Sequence, residues 1–574
     1  MNWDLTHIFN SLEEADFLLN EAENEAEWFN KKYKGKLASL NVYEFLEALN
    51  SYIDINEKIS RVMTYIYLQF ATDTSKGNLL SKYEEKSSKI EEKLLFFELE
   101  FTKLSEEKQI HFINHAGVNK LYLETLRKEA KHKLSENEER ILLKKDLTSS
   151  SAFSRLFDET ISNMKFFLNK KYLSEEEVLS KLYSNDRQER KKAAISLTNG
   201  LKDKQHLFSF IYNQIKKDWK IECELRNYSS AEEPRHISNK ATQESVDALI
   251  ETTNANFDIV EEYYNIKKEL LGYDYLYDYD RYAPISTIDK EIPFEEAKKM
   301  VLNSFKNFSS TFYKIALKAF NEKWIDVYPK EGKRGGAFSH GATPKVHPYV
   351  MLNYTNQIRD VFTLAHELGH AIHQYLARDV GYLNQHTPLT TAETASIFAE
   401  MLLFEDLKKT LSKKELLSLY ASKLEDIFAT LFRQIVFTNF ERRVHNKDEL
   451  SPQEFNAIWQ EENQRMFGNS VILTSNYKIW WSYIPHFIHS PFYCYAYAYA
   501  QLLVISLFNL YKNNHPDFEL KYIEFLRSGG SISPKEQIAI FGKNINDVKF
   551  WQEGIDSIKE MLNEFKRLKD EVTL

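Results

Sequence analysis

The stretch Val361-Phe362-Thr363-Leu364-Ala365-His366-Glu367-Leu368-Gly369-His370-Ala371-Ile372 carries both the fold pattern and the chemistry of this chain. Its apolar residues recur at three- and four-residue spacing, which predicts a helix running from Ile358 through Leu376. Residues four apart on a helix lie one turn above each other. His366 and His370 can therefore offer ring nitrogens to one zinc ion, with Glu367 beside them.

The third ligand decides the class of zinc site. A glycine at 373 and a histidine at 376 would complete a three-histidine pattern, but His373 and Leu376 stand there. Downstream, Thr390 to Met401 reads as a second apolar helix with two carboxylates, Glu393 and Glu400. Glu393 is the expected ligand, far enough from His370 for a loop and an antiparallel neighbouring helix. Glu400 and Ser396 are placed to hydrogen-bond a ligand. His373 reads as an interior histidine. Two imidazoles and one carboxylate leave a coordination position open for a water, which Glu367 can deprotonate for attack on a carbonyl carbon before passing the proton to a leaving amine.

Two flanking regions carry further signals. Gly332, Gly335, Gly336 and Gly341 fall in ten residues of a chain with 16 glycines in all, so permissive backbone is concentrated there. Val346 to Tyr354 follows, β-branched and aromatic with Pro348 near its start, and predicts an edge strand. Trp480 to Ala500 holds His486, His489 and a ladder of tyrosines in apolar surroundings. A phenol or imidazole there can stabilise an oxyanion. Tyr493 and Tyr497 share one helical face, and Tyr495 and Tyr499 share another.

The remainder of the chain reads as helix. Sixteen glycines and 12 prolines in 574 residues make about 5% against roughly 12% in ordinary usage. Helices are expected over Leu12 to Lys32, Val42 to Phe70, Leu79 to Leu104, Lys120 to Lys145 and Glu175 to Thr198. The charge run Asp186 to Lys192 is expected to be a solvated helix face. The division expected is an N-terminal helical lobe, 1–200, and a catalytic region, 201–574. A net charge of −9 excludes bulk attraction to nucleic acid or an anionic membrane. Two cysteines cannot build a disulfide framework, the first residues lack a signal pattern, and the apolar run Tyr495 to Leu510 is broken by Gln501, Ser506 and Asn509. A buried core helix and a cytoplasmic protein are expected.

These residues resemble the oligoendopeptidase F family, within the thimet oligopeptidase-like zinc metallopeptidases. The matching segments are Arg334-Gly335-Gly336-Ala337-Phe338-Ser339, Met351-Leu352-Asn353-Tyr354, Val361 to His370, Glu393-Thr394-Ala395-Ser396, His489-Ser490-Pro491-Phe492-Tyr493 and Ser528-Gly529-Gly530-Ser531, in family order across roughly residues 200 to 560. The resemblance implies a mainly α, two-lobed, neurolysin-like zincin with a deep substrate channel and a small β-sheet near the active site. It implies one zinc ion on His366, His370 and Glu393, and short unstructured peptides as substrates. Glu367, His489 and Tyr497 are then the catalytic candidates. His486, Tyr493, Tyr495, Gly335, Gly336 and Tyr349 are the substrate-binding ones, with the strand Tyr349 to Tyr354 pairing with the peptide by β-augmentation. His340-Gly341 departs from the family pattern, which bears on subsite preference. A dipeptidyl carboxypeptidase-type exopeptidase and a non-catalytic zinc-containing binding protein are the alternatives; the oligomeric state is left open.

Overall fold

The structure, a computed structural model, describes residues 2–285 and 290–573 and is mainly α. Helix starts are written in the sequence. Asn41 with Glu44, Ser174 with Glu177, Ser412 with Glu415 and Ser451 with Glu454 form reciprocal capping boxes that satisfy backbone N–H groups at each first turn.

Three of the long helices expected in the first 200 residues are interrupted. Between Leu79 and Leu104 the chain forms two helices, Gly77–Glu92 and Phe96–Thr102, with a turn between them. Ser135 caps a new helix, Glu136–Asp146, and separates it from Lys120–Ala130. Asp186 caps Arg187–Asp203 in the same way. The charge run here is not merely solvated: Arg190 is buried, and Arg187 and Arg190 both bond the buried Asp280, at 2.7 and 3.0 Å.

The chain forms two compact units that interleave along the sequence. One comprises residues 1–131, 289–410 and 510–544, and the other comprises 132–288, 411–509 and 545–574. They draw a different line from the expected division at residue 200. In the first unit Phe45 stacks on Phe112 at 4.0 Å, and the same core takes in Val346 and Tyr349. In the second, Tyr212 lies between Phe455 and Phe487, at 5.2 and 5.8 Å, in a core shared with Trp459 and Trp481. Burying each such ring contributes roughly 1.5–3 kcal/mol. The apolar run near the C-terminus forms Tyr495–Lys512, buried over most of its length. No helix among the described residues is long and apolar enough to cross a membrane.

Strands are few. β1 (Phe166–Leu168) and β2 (Lys171–Leu173) form an antiparallel hairpin in the second unit, unexpected from the sequence, around Asn169 and Lys170 at φ 50° and 65°. In the first unit, β3 (Ile325–Asp326), β4 (Phe338–His340) and β5 (Tyr349–Met351) form a sheet in the order β3-β5-β4. β5 runs parallel to β3 and antiparallel to β4, with Ser339 opposite Val350. The strand expected at an edge is therefore the middle one. Pro348 immediately precedes β5, where its missing N–H costs no ladder bond. Tyr349 is fully buried and its hydroxyl donates to the Asp4 carbonyl at 3.2 Å, so neither Tyr349 nor β5 offers a surface to a peptide, as had been expected.

Candidate active site

The helix Ile358–Leu376 carries His366, Glu367 and His370, its first turn closed by Gln357 and Asp360. Glu393 sits at the break between Leu389–Ala392 and Thr394–Leu407, at φ −85° and ψ 4°. The two helices touch through Gly369: a Cβ there would stand 2.5 Å from the Ala395 carbonyl oxygen and 2.6 Å from Ser396 Cα. This close approach brings Glu393 to the histidines. Its Oε2 lies 3.3 Å from Nε2 of His366 and 3.3 Å from Nε2 of His370.

Such separations suit a metal. Ligands about 2.0–2.1 Å from a tetrahedral ion stand roughly 3.3–3.4 Å apart, and the donor set of two imidazoles and a carboxylate is that of catalytic zinc. His366, His370 and Glu393 form the one cluster of this kind among the described residues, with donor atoms within 4.8 Å of one another. Its supporting bonds are also built. His366 Nδ1 is 2.6 Å from Glu400 Oε1, and Ser396 Oγ donates to Glu393 Oε2 at 2.7 Å. A carboxylate on Nδ1 holds the proton there and leaves Nε2 free to coordinate.

The electrostatics follow from burial and these contacts. Burial alone would lower the proton affinity of His366, but Glu393 and Glu400 override it and raise its pKa to about 10. Burial would raise that of Glu393, and the bonds to His366 and His370 override it in turn, holding the carboxyl well below its usual range. A metal ion held here would take the place of the shared proton. Glu367 differs: burial raises its pKa against the pull of both histidines, it is only 7% exposed, and its Oε2 has no hydrogen-bond partner. His373 is buried, its pKa pushed down to about 3 by burial, and it stays outside the cluster as a neutral interior histidine.

A cavity of about 460 Å³ opens onto these residues, lined also by Phe338 and Ser339 of β4 and by Gln374, Gln385 and His386. Among the described residues β4 pairs with β5 alone, and Gln374 anchors it by donating to the Ser339 carbonyl at 3.1 Å. Gln374 was missed in the sequence, although it falls one helical turn beyond His370. Gln385 and His386 lie in a loop with no local signal. Gly335 and Gly336 do not line the cavity. A Cβ at either would meet nothing within 4 Å; what needs glycine is the φ of +77° at Gly336.

His486, Tyr493 and Tyr497 come together in the second unit. His486 Nε2 is 3.3 Å from the Tyr497 hydroxyl, and the rings of Tyr493 and Tyr497 meet edge-on at 5.2 Å. Burial, and then the neighbouring Tyr493, raise the Tyr497 pKa to about 12, so the phenol keeps its proton at neutral pH. Phe492 adopts φ +57°, and its N–H donates to Glu441 Oε1 at 2.8 Å. The other candidates face elsewhere. Tyr495 is buried with its hydroxyl bonded to His236 and Asn239, both at 2.9 Å, and is a packing residue rather than a substrate contact. His489 is paired with Asp158 at 2.8 Å and lines a separate cavity with it.

Comparison with known proteins agrees with this chemistry. Residues 180–557 match peptidase family M3 and residues 100–166 match oligopeptidase F. The oligoendopeptidase F homolog of Borreliella burgdorferi is 31% identical, over 99% of this chain and 98% of that protein. A Chlamydophila abortus crystal structure superposes with a TM-score of 0.89 at 25% identity, covering 99% of this chain and 98% of the other. The fold is also that of oligoendopeptidase F from Enterococcus faecium, with a TM-score of 0.71 at 22% identity over 97% and 99% of the two chains. Membership implies a metal cofactor and peptide substrates. The chain belongs to peptidase family M3, among the oligoendopeptidase F proteins, and is a metallopeptidase.

Proposed function

We propose that this protein is a zinc-dependent oligoendopeptidase that hydrolyses internal bonds of short, unstructured peptides. The observation that carries this reading is the buried Glu367 carboxyl, with Oε2 unpartnered, beside the donor set His366, His370 and Glu393. A zinc ion held by those three residues supplies a Lewis acid and lowers the pKa of a bound water towards about 7. Glu367 accepts the proton of the attacking water and delivers it to the nitrogen of the departing peptide. Its raised pKa suits a group that must both take and return a proton. Glu400 and Ser396 orient the ligands. A structural zinc site has no use for such a glutamate.

The peptide is read as extended, adding to β4, which has a partner on one side only. Tyr497, with His486 beside it, is read as a protonated phenol able to donate to an oxygen that gains charge. His486 is preferred to His489 because Asp158 occupies the latter. Two free, buried cysteines, Cys223 and Cys494, support a reducing compartment, the cytoplasm.

The test is cleavage of peptides of about 5, 10, 20 and 40 residues, mapped by mass spectrometry before and after chelation and with zinc restored. Internal cuts in the shorter peptides, lost on chelation and regained with zinc, are expected. Release of C-terminal dipeptides alone would replace this reading with an exopeptidase.

A further inference from the structure

Ser528-Gly529-Gly530-Ser531 lies far along the chain from His366, His370 and Glu393, yet its two glycines are packed against a loop of their cavity. The Gly530 N–H donates to the Asn384 carbonyl at 2.6 Å. A Cβ at Gly529 would lie 2.6 Å from that same carbonyl oxygen, and one at Gly530 would overlap the His386 carbonyl oxygen. Both neighbours are backbone atoms, which cannot swing aside, so only glycine allows this approach. Gly529 also holds φ +49°, and its carbonyl accepts from the fully buried Gln537 at 2.9 Å. The pair supports the loop 381–388 from behind. Asn384 is tied down a second time, its side chain donating to Asn119 Oδ1 at 2.9 Å.

The front of that loop, through Gln385 and His386, lines the same cavity as His366, Glu367, His370 and Glu393. Gln385 is 5% exposed; its Nε2 donates to the Ala342 carbonyl at 3.0 Å and meets His386 Nε2 at 3.2 Å. A carboxamide nitrogen only donates, and the Ala342 carbonyl, which only accepts, fixes which end of the carboxamide stands there. His386 Nε2 must then be the acceptor. The imidazole is therefore neutral, with its proton on Nδ1. His386 itself is exposed on the cavity wall, and its Nδ1–H has no partner among the described residues. The wall thus offers one neutral donor, its tautomer set by a buried neighbour and its backbone set by the two glycines.

We propose that His386 is a substrate-binding residue whose Nδ1–H donates to one backbone carbonyl of the peptide, with Gln385, Gly529 and Gly530 as the residues that position it. The inference rests on the peptidase reading above and deepens it. An extended peptide offers a carbonyl at every residue, so a single donor at a fixed place in the cavity holds the chain in one register relative to the bond to be cut. Being neutral, it recognises backbone without requiring a charged side chain.

The experiment uses the zinc-loaded enzyme and one internally cut peptide, in which each backbone carbonyl outside the cut bond is replaced in turn by a thiocarbonyl, a poorer acceptor. At one position the replacement is expected to lower wild-type kcat/KM about three- to tenfold, mostly through KM. His386→Phe should lower kcat/KM for the parent peptide by the same factor and be indifferent to the replacement at that position; His386→Asn, which keeps a donor, retains part of the discrimination. Gly530→Ala displaces the loop from behind and is expected to erase the same position-specific penalty. Zinc affinity should be unchanged in all three variants, because neither substituted residue belongs to the donor cluster. Thermal unfolding checks each fold, and the His386→Phe comparison, at an exposed position, stands even if Gly530→Ala does not fold. A penalty that is the same in His386→Phe as in the wild type at every position, or no penalty at any position in the wild type, would overturn the proposal while leaving the peptidase reading intact. Failure of the zinc-loaded wild type to cut the parent peptide would overturn both.

Discussion

His366 Nδ1 stands 2.6 Å from Glu400 Oε1, and that single bond determines which nitrogen of the imidazole is free to take a metal. The clustered donors are His366, His370 and Glu393, and Glu400 acts on them through the His366 ring. Glu400→Ala is expected to weaken zinc affinity by about 10–100-fold. Competition with a fluorescent chelator measures this, and excess zinc should restore most of the lost activity. Unchanged affinity would mean that the histidine is oriented by its helix alone.

Gly369 is required for space rather than for backbone freedom. Its Cβ would lie 2.5 Å from the backbone oxygen of Ala395, an atom that cannot swing aside. Gly369→Ala should therefore cost roughly 1–3 kcal/mol and lower the thermal midpoint. Moving Glu393 away from the histidines should weaken zinc binding in parallel. A stable variant with normal zinc affinity would show that the helices separate without moving the site.

The two tyrosines Tyr495 and Tyr497 lie on opposite sides of one helix and should respond oppositely. Tyr497→Phe removes the hydroxyl 3.3 Å from His486, and kcat is expected to fall about 10–1,000-fold with little change in KM. Tyr495→Phe removes the bonds to His236 and Asn239, and should cost about 1 kcal/mol of stability with kcat preserved. Steady-state kinetics and thermal unfolding of both variants separate the roles.

Glu441 gives a pH prediction. Burial raises its pKa to about 8, against about 4.3 for an unfolded carboxyl. Because the folded value is the higher, its contribution to stability is complete below about pH 4.3 and is lost as pH rises through 8. Glu441→Gln does not ionise and keeps an oxygen for the Phe492 N–H. The variant should therefore gain on the wild type in thermal midpoint between pH 5 and pH 9. A difference that is flat in pH would show Glu441 to be ionised already.

How much of this was legible in the sequence differs from residue to residue. His366, His370 and Glu367 could be read because helical periodicity fixes their spacing, and Glu393 and Glu400 because seven residues return a helix to the same face. The break at Glu393 itself was not visible, since Thr390 to Met401 reads as one apolar run. The position of β5 in the middle of its sheet was misread because Pro348 lies just outside the strand and β3 is only two residues long. Arg190 was hidden for another reason. A charge run looks the same whether its partners are water or a buried aspartate 90 residues away, and only tertiary packing distinguishes them. The interleaved units reflect the same limit, because local patterns carry no information about which distant helices share a core.

The most direct measurement is the cleavage rate of Glu367→Gln with its zinc content determined on the same sample. If Glu367 moves the proton, the variant should bind one zinc ion as the wild type does and lose at least about 100-fold in kcat/KM on an internally cut peptide. A variant that holds its zinc and cuts as fast as the wild type would contradict the mechanism at its centre.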